Sequence, residues 1–247
     1  MLVAAAQGAA KKRDKIFCVG PGHTGTHTLE AMLKNLSYRS CHLHCLQKSW
    51  ARETQQHDAS SEVFTNFDAF MDAGDFADWR WLEQAFSTAR FALNTRPLFE
   101  YLVSLYDHKR LRKNYTMTAA QLVGHVCGLA ARQEEMLAHF DRPERRDRFA
   151  VVALTDPNVR GVVEWLARPR LNSHQAARLV TSSADLPERF GERGRPVALL
   201  FAQPHDAIAR DFVRRALIDH GCPPAFWNDT LYSCCAKTLV DDCRQRS

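Results

Sequence analysis

The residues best placed to do chemistry lie between Lys15 and Leu36. From Gly20 to Thr28 the chain reads Gly-Pro-Gly-His-Thr-Gly-Thr-His-Thr. A loop of that composition between a strand and a helix cradles an anion, because successive loop N–H groups and the first helical turn converge on it. Both flanks fit. Ile16-Phe17-Cys18-Val19 is an apolar run, and Leu29, Met32, Leu33 and Leu36 recur at the spacing of one helix face. Gly20, Gly22 and Gly25 allow a tight turn and a close approach to the ligand. Thr24, Thr26 and Thr28 add hydroxyl donors.

A second pair of candidates follows from the stretch Asp78–Tyr106. Trp81, Leu82, Ala85 and Phe86 read as a helix face, Arg90–Thr95 as a buried strand, and Pro97 as the first position of the next helix. That helix buries Phe99, Leu102, Val103 and Tyr106. Arg96 therefore stands at the C-terminal end of a strand, where open α/β sheets place their ligands. Ser104 lies about two helical turns further on.

A Walker A loop reads G-x-x-x-x-G-K-[ST]. Gly20 and Gly25 keep its spacing, but Thr26 and His27 occupy the Lys and Ser/Thr positions. A small-molecule kinase of that kind would lack the lysine that serves the β- and γ-phosphates. The loop resembles instead that of the PAPS-dependent sulfotransferases, roughly G-x-x-K-[ST]-G-T-[ST]-x-L. Gly20, Thr24, Gly25, Thr26 and Leu29 are in register, and His23 replaces the family lysine. Strand, Arg96, helix and Ser104 likewise resemble the family's site for the 3′-phosphate of the nucleotide.

The resemblance covers roughly the first two-thirds of the chain and implies a single three-layer α/β/α domain over residues 15–247. Its sheet is mostly parallel, the P-loop NTPase-like sulfotransferase fold. The implied reaction moves a sulfuryl group from PAPS (3′-phosphoadenosine 5′-phosphosulfate) to a hydroxyl or amine of a small-molecule or glycan acceptor. PAP is released and no metal is required. Gly22, His23, Thr24, Gly25, Thr26, His27 and Thr28 would hold the 5′-phosphosulfate, with Arg96 and Ser104 on the 3′-phosphate. His23 would take over from the lysine, as imidazolium or as a neutral N–H donor. The alternative is a catalytically weak or inactive module of the same fold that binds nucleotide or sulfated glycan.

An acceptor hydroxyl must also lose its proton. Gln47–Asp78 is polar around an amphipathic piece at Val63–Met71, and reads as a loop plus short helix over the pocket mouth. Its His57, Asp68, Asp72, Asp75 and Asp78 belong on the surface by default. Asp75 is the favoured general base, with His42 next. Cys41-His42-Leu43-His44-Cys45 suggests zinc, but as the second strand it would place its cysteines and histidines on opposite faces. Cys234-Cys235 with Cys243 lacks C-x-x-C spacing.

The 247 residues suit one domain, and 45% hydrophobic with 25% charged residues is ordinary for a globular chain. The formal charge is +5. Its basic clusters, His108–Asn114 and Arg142–Arg148, read as solvated surface; no stacking-aromatic pattern accompanies them, so nucleic acid is not expected. No apolar run reaches the roughly 18 residues of a membrane span. Residues 1–14 run from apolar to charged, the reverse of a signal peptide. A disordered tail, a cytoplasmic location and reduced cysteines are the expectation. Later elements are a helix at 118–140, a strand at 148–154, a helix after Pro157 burying Val159, Val162, Val163, Trp165 and Leu166, and a helix at 205–220. Arg189–Arg195 reads as a surface turn, and Pro196–Gln203 as strand or helix.

Overall fold

The computed structural model describes residues 14–42, 45–51, 55–153, 161–162, 165–166 and 207–232. The expected N-terminal tail, the segments 189–195 and 196–203, and Cys234, Cys235 and Cys243 lie outside them.

Seven strands and eight α-helices follow one another among the described residues. β1 (Ile16–Cys18) leads through the glycine loop into α1 (Thr26–Asn35). β2 (Ser40–Cys41), the small antiparallel pair β3 (Trp50–Ala51) and β4 (Gln56–His57), α2 (Glu62–Asn66), β5 (Ala69–Phe70) and α3 (Ala73–Phe76) come next. Then follow α4 (Trp79–Ala85), β6 (Arg90–Thr95), α5 (Leu98–Lys113), α6 (Ala119–Phe140), α7 (Pro143–Arg146), β7 (Phe149–Ala153) and α8 (Ala207–Asp219). The main sheet runs β2-β5-β1-β6-β7, and every pairing in it is parallel. β1 is central, so its C-terminal end opens where the chain leaves for neighbours on either side, the place for a ligand in such sheets.

Strand alternation builds the layers. Phe17, Phe70, Phe91 and Leu93 pack to one face with Trp79, Leu82, Met136 and Phe140 from α4 and α6. Ile16, Cys18, Ala69, Ala92 and Val152 pack to the other with Leu29 and Leu33 of α1. A third cluster joins α5, α6 and α8 through Leu102, Val126, Val213 and Leu217. Thr118 starts α6 with a capping box closed by Gln121.

Three expectations change. The segment 47–78 is more than a surface cover. It contributes β5, which sits between β1 and β2, because two apolar residues suffice when strands flank them on both sides. Asp68 and Asp72 inside it are buried rather than exposed; Asp68 is matched there by Arg39 at 3.0 Å. The cysteines are not all reduced. β2 ends at Cys41 and the chain turns into a 3₁₀ segment at Cys45–Ser49, so alternation does not extend to Cys45. The two Cα atoms are 5.9 Å apart and the thiols form a disulfide. Cys127 and Cys222 are disulfide-bonded too, while Cys18 is a buried free thiol.

Gly20 marks the tightest approach between loop and sheet. A Cβ there would lie 2.0 Å from the backbone oxygen of Asn94 in β6. Gly20→Ala is expected to lower stability by about 1–3 kcal/mol by overpacking, read as a shift of the urea midpoint at constant slope. An unchanged midpoint would mean that loop and β6 separate easily.

Candidate functional site

The loop is held from beneath by a single amide. Gly20 N–H donates to Asn94 Oδ1 at 3.0 Å, and Asn94 Nδ2 donates to Pro21 O at 3.3 Å and to Thr24 Oγ1. Thr24 in turn donates to Pro21 O at 2.6 Å and is 1% exposed. Its hydroxyl braces the loop and does not face a ligand. Gly25, at φ 86°, is the N-cap of α1, and no side chain caps the helix. Left-handed backbone of this kind favours glycine. The first-turn N–H groups at Thr26, His27 and Thr28 thus form an uncapped helix start, the arrangement that attracts an anion. Thr26 is buried, Thr28 half-buried and His27 exposed.

His23 sits at the top of the loop, also left-handed at φ 68°. Its carbonyl accepts from Arg96 Nη1 at 3.3 Å, and its ring meets that of His108 at 4.7 Å. Burial pushes its pKa down to about 4, and His108, Lys109 and Arg96 push the same way against a weaker pull from Asp72. His23 is therefore a neutral imidazole near pH 7. Arg96 is 8% exposed at the end of β6, and its own carbonyl accepts from Tyr232 Oη at 3.0 Å. Ser104 lies one turn before His108 on α5, on the helix face whose His108 meets the loop.

Two carboxylates close the other side. Asp75 Oδ2 accepts from Gly22 N–H at 3.0 Å, and burial raises its pKa. Asp72 faces His42, whose Nε2 lies 2.9 Å from Asp72 Oδ2 while its Nδ1 lies 2.9 Å from Glu30 Oε2. Burial alone would lower the pKa of His42; its contacts with Asp72 and Glu30 outweigh that and raise it to about 9. The remaining candidates lie elsewhere. Asp68 pairs with Arg39, Asp78 caps α4 through Arg80 N–H at 3.0 Å, and His57 packs between Trp50 and Trp81.

Several residues of the site carry no motif. The charge of Lys109 acts on His23, Asp75 and His125. Arg132 of α6 donates to Gly74 O and faces Asp75. Tyr232 reaches Arg96 from far along the chain. Only Asn94 had a legible signal, as a polar residue inside an apolar strand.

A model of the sulfotransferase domain matches residues 15–151, from the start of β1 into β7, and so takes in the loop, both carboxylates, Arg96 and Ser104. The chain belongs to the sulfotransferase family. No curated protein and no solved structure matches it. Among the described residues of this sulfotransferase no helix is long and apolar enough to cross a membrane.

The neutral state of His23 has a measurable consequence. A histidine with a depressed pKa contributes stability above its ordinary value of 6.5, and loses it as pH falls toward about 4. Ring-carbon NMR should show no titration of His23 between about pH 8 and pH 6. His23→Gln should flatten the acid side of the stability profile. A His23 midpoint near 6.5 would contradict the burial that sets it.

Proposed function

We propose that this sulfotransferase takes PAPS as its donor and transfers the sulfuryl group to a hydroxyl or amine of a small molecule or glycan. The observation that supports this most is the meeting of two anion-binding features on one phosphate loop. The uncapped first turn of α1 adjoins it, and the buried guanidinium of Arg96 touches its backbone at His23. Both suit a ligand with two separated anionic groups. PAPS supplies the sulfuryl group and leaves as PAP.

Loop N–H groups from Gly22 to Thr28 hold the 5′ charges, and Arg96 with Ser104 holds the 3′-phosphate. Charge that develops on the bridging oxygen needs a donor fixed in advance. His23 offers one N–H there without a full charge. Asp75 is the general base in this reading. Burial raises its pKa and so makes it a stronger base than an ordinary carboxylate, and an anion that takes the Gly22 N–H releases the carboxylate beside the reacting group. His42 drops out as a base, because it is already protonated between Glu30 and Asp72. No step here requires a metal.

A second reading, a weak or inactive binding module, draws on one observation: the loop position of the family lysine holds a neutral ring. Labelled PAPS turnover separates the two, and calorimetric titration with PAP and with ATP separates both from a kinase.

The surroundings bear on partners and compartment. Arg145 and Arg148 are spent on Glu83, at 3.1 and 2.7 Å, and Arg146 on Asp141. That basic cluster is a structural ion network, which weighs against nucleic acid as partner. The cytoplasmic expectation came from the charge order of residues 1–14 and carried reduced thiols with it; disulfide-bonded Cys41, Cys45, Cys127 and Cys222 fit an oxidising compartment better.

Arg96→Ala should weaken PAP binding by about 2–4 kcal/mol, the loss of a buried charge-assisted pair, and Ser104→Ala by about 1 kcal/mol. Parental affinity in Arg96→Ala would remove the 3′-phosphate assignment. Turnover should fall as pH drops through the raised pKa of Asp75, since a base must be deprotonated. Asp75→Asn should abolish that limb and most of the rate while PAP still binds. His23→Lys should increase the rate by supplying the missing charge; a decrease would show that the neutral ring is the working donor.

A further inference from the structure

We propose that His27, Glu30 and His42 form a binding site for one divalent transition-metal ion, zinc being the type. Sequence reasoning expected no metal, because it placed His42 in a strand with its partners facing apart. In the folded chain each of the three offers one ligand atom, and these atoms all lie within 4.8 Å of one another. His27 and Glu30 are one helical turn apart at the start of α1, hence on one face. His42 follows β2 and reaches the same point from the sheet.

The spacing suits a tetrahedral ion. Metal–ligand bonds of about 2.0–2.2 Å place neighbouring ligand atoms roughly 3.3–3.6 Å apart. His42 Nδ1 lies 2.9 Å from Glu30 Oε2, and His27 Nδ1 lies 4.0 Å from the same oxygen. The two separations straddle the required value, and the His27 side chain, 72% exposed, has room to swing inward. Two histidines and a glutamate leave the fourth position open, as in exchangeable rather than sealed zinc sites.

The outer contacts are those such a site needs. A metal-bound imidazole directs its other nitrogen to a carboxylate, which fixes ring and tautomer. His42, 5% exposed, has Asp72 Oδ2 2.9 Å from Nε2. Lys34 Nζ binds Glu30 Oε1 at 2.9 Å, leaving Oε2 turned toward the histidines. The disulfide between Cys41 and Cys45 brackets His42 in sequence and keeps both sulfurs out of the ligand set. His42 carries a proton between Glu30 and Asp72 near neutrality, which an ion on Nδ1 displaces; that proton alone would account only for the Glu30 contact. It would not call for the third ligand that His27 offers. The proposal does not depend on the nature of the sulfuryl donor.

The test uses the whole chain, stripped with a chelator, kept non-reducing and titrated with Co²⁺. The expected result is visible d–d absorption that saturates at one equivalent and is lost on adding Zn²⁺. His27→Ala, an exposed change that should leave the circular dichroism unaltered, is expected to weaken binding at least about tenfold. Glu30→Gln should do the same, and His139→Ala should have no effect. Absence of saturable binding would overturn the proposal. So would parental affinity in His27→Ala, or a sulfur-to-cobalt charge-transfer band, which would place the ion on cysteines.

Discussion

The carboxamide of Asn94 is the point from which the site is built. It is wholly buried on β6, and it serves Gly20 N–H, Pro21 O and Thr24 Oγ1 at once. Leaving any one of these buried groups without a partner would cost about 1–3 kcal/mol. The amide therefore fixes the height and tilt of the loop above the sheet. Arg96 comes two residues later, just past the end of that strand, so the clamp that seats the loop also sets its distance to the guanidinium. The hydrogen bond from Arg96 to His23 O follows from that geometry. Tyr232, which holds the Arg96 carbonyl, secures the other end.

Glu30, Asp72 and Asp75 wall the glycine loop, which poses an electrostatic difficulty for the anion proposed to bind there. Three carboxylates beside the ligand would repel it strongly at low dielectric. The structure answers with fixed countercharges. His42 is held positive between Glu30 and Asp72, Lys34 pairs with Glu30, and Lys109 and Arg132 act on Asp75. Burial raises the pKa of Asp75 against the pull of those two cations. The positive charge around the loop is carried by Lys34, Lys109 and Arg132 on α1, α5 and α6.

What the sequence made legible was local. The strand, loop and α1, the strand leading to Arg96, and the stripe of α6 each follow from short-range periodicity and turn chemistry, and each is present. What it concealed depended on distant partners. β5 is two residues long and exists because β1 and β2 flank it. Asp68 is buried because Arg39, the residue before β2, covers its charge. The disulfide required a turn after Cys41 that alternating residues disguised. Lys109 looked like one more charge in a basic run, and only the packing of α5 against the loop separates it from its neighbours. Asp75 was favoured because its polar segment had few other reasons to approach the cleft, and its carboxylate accepts from the Gly22 N–H of the loop.

The same reasoning accounts for a histidine where the family has lysine. Position 23 adopts the left-handed conformation at φ 68°, which histidine tolerates better than most side chains. It is also crowded by Arg96, Lys109 and His108, all of which oppose a further cation. A lysine there would have to stay charged or suffer a deeply lowered pKa; a histidine can simply be neutral. An anion on the loop acts in the opposite sense, because a nearby negative charge favours the protonated ring and screens it from Arg96. Burial and neighbours thus keep His23 uncharged while the loop is bare, and the ligand's own charge works against them once it binds. If PAPS binds as proposed, the charge of the group at position 23 would depend on what the loop holds.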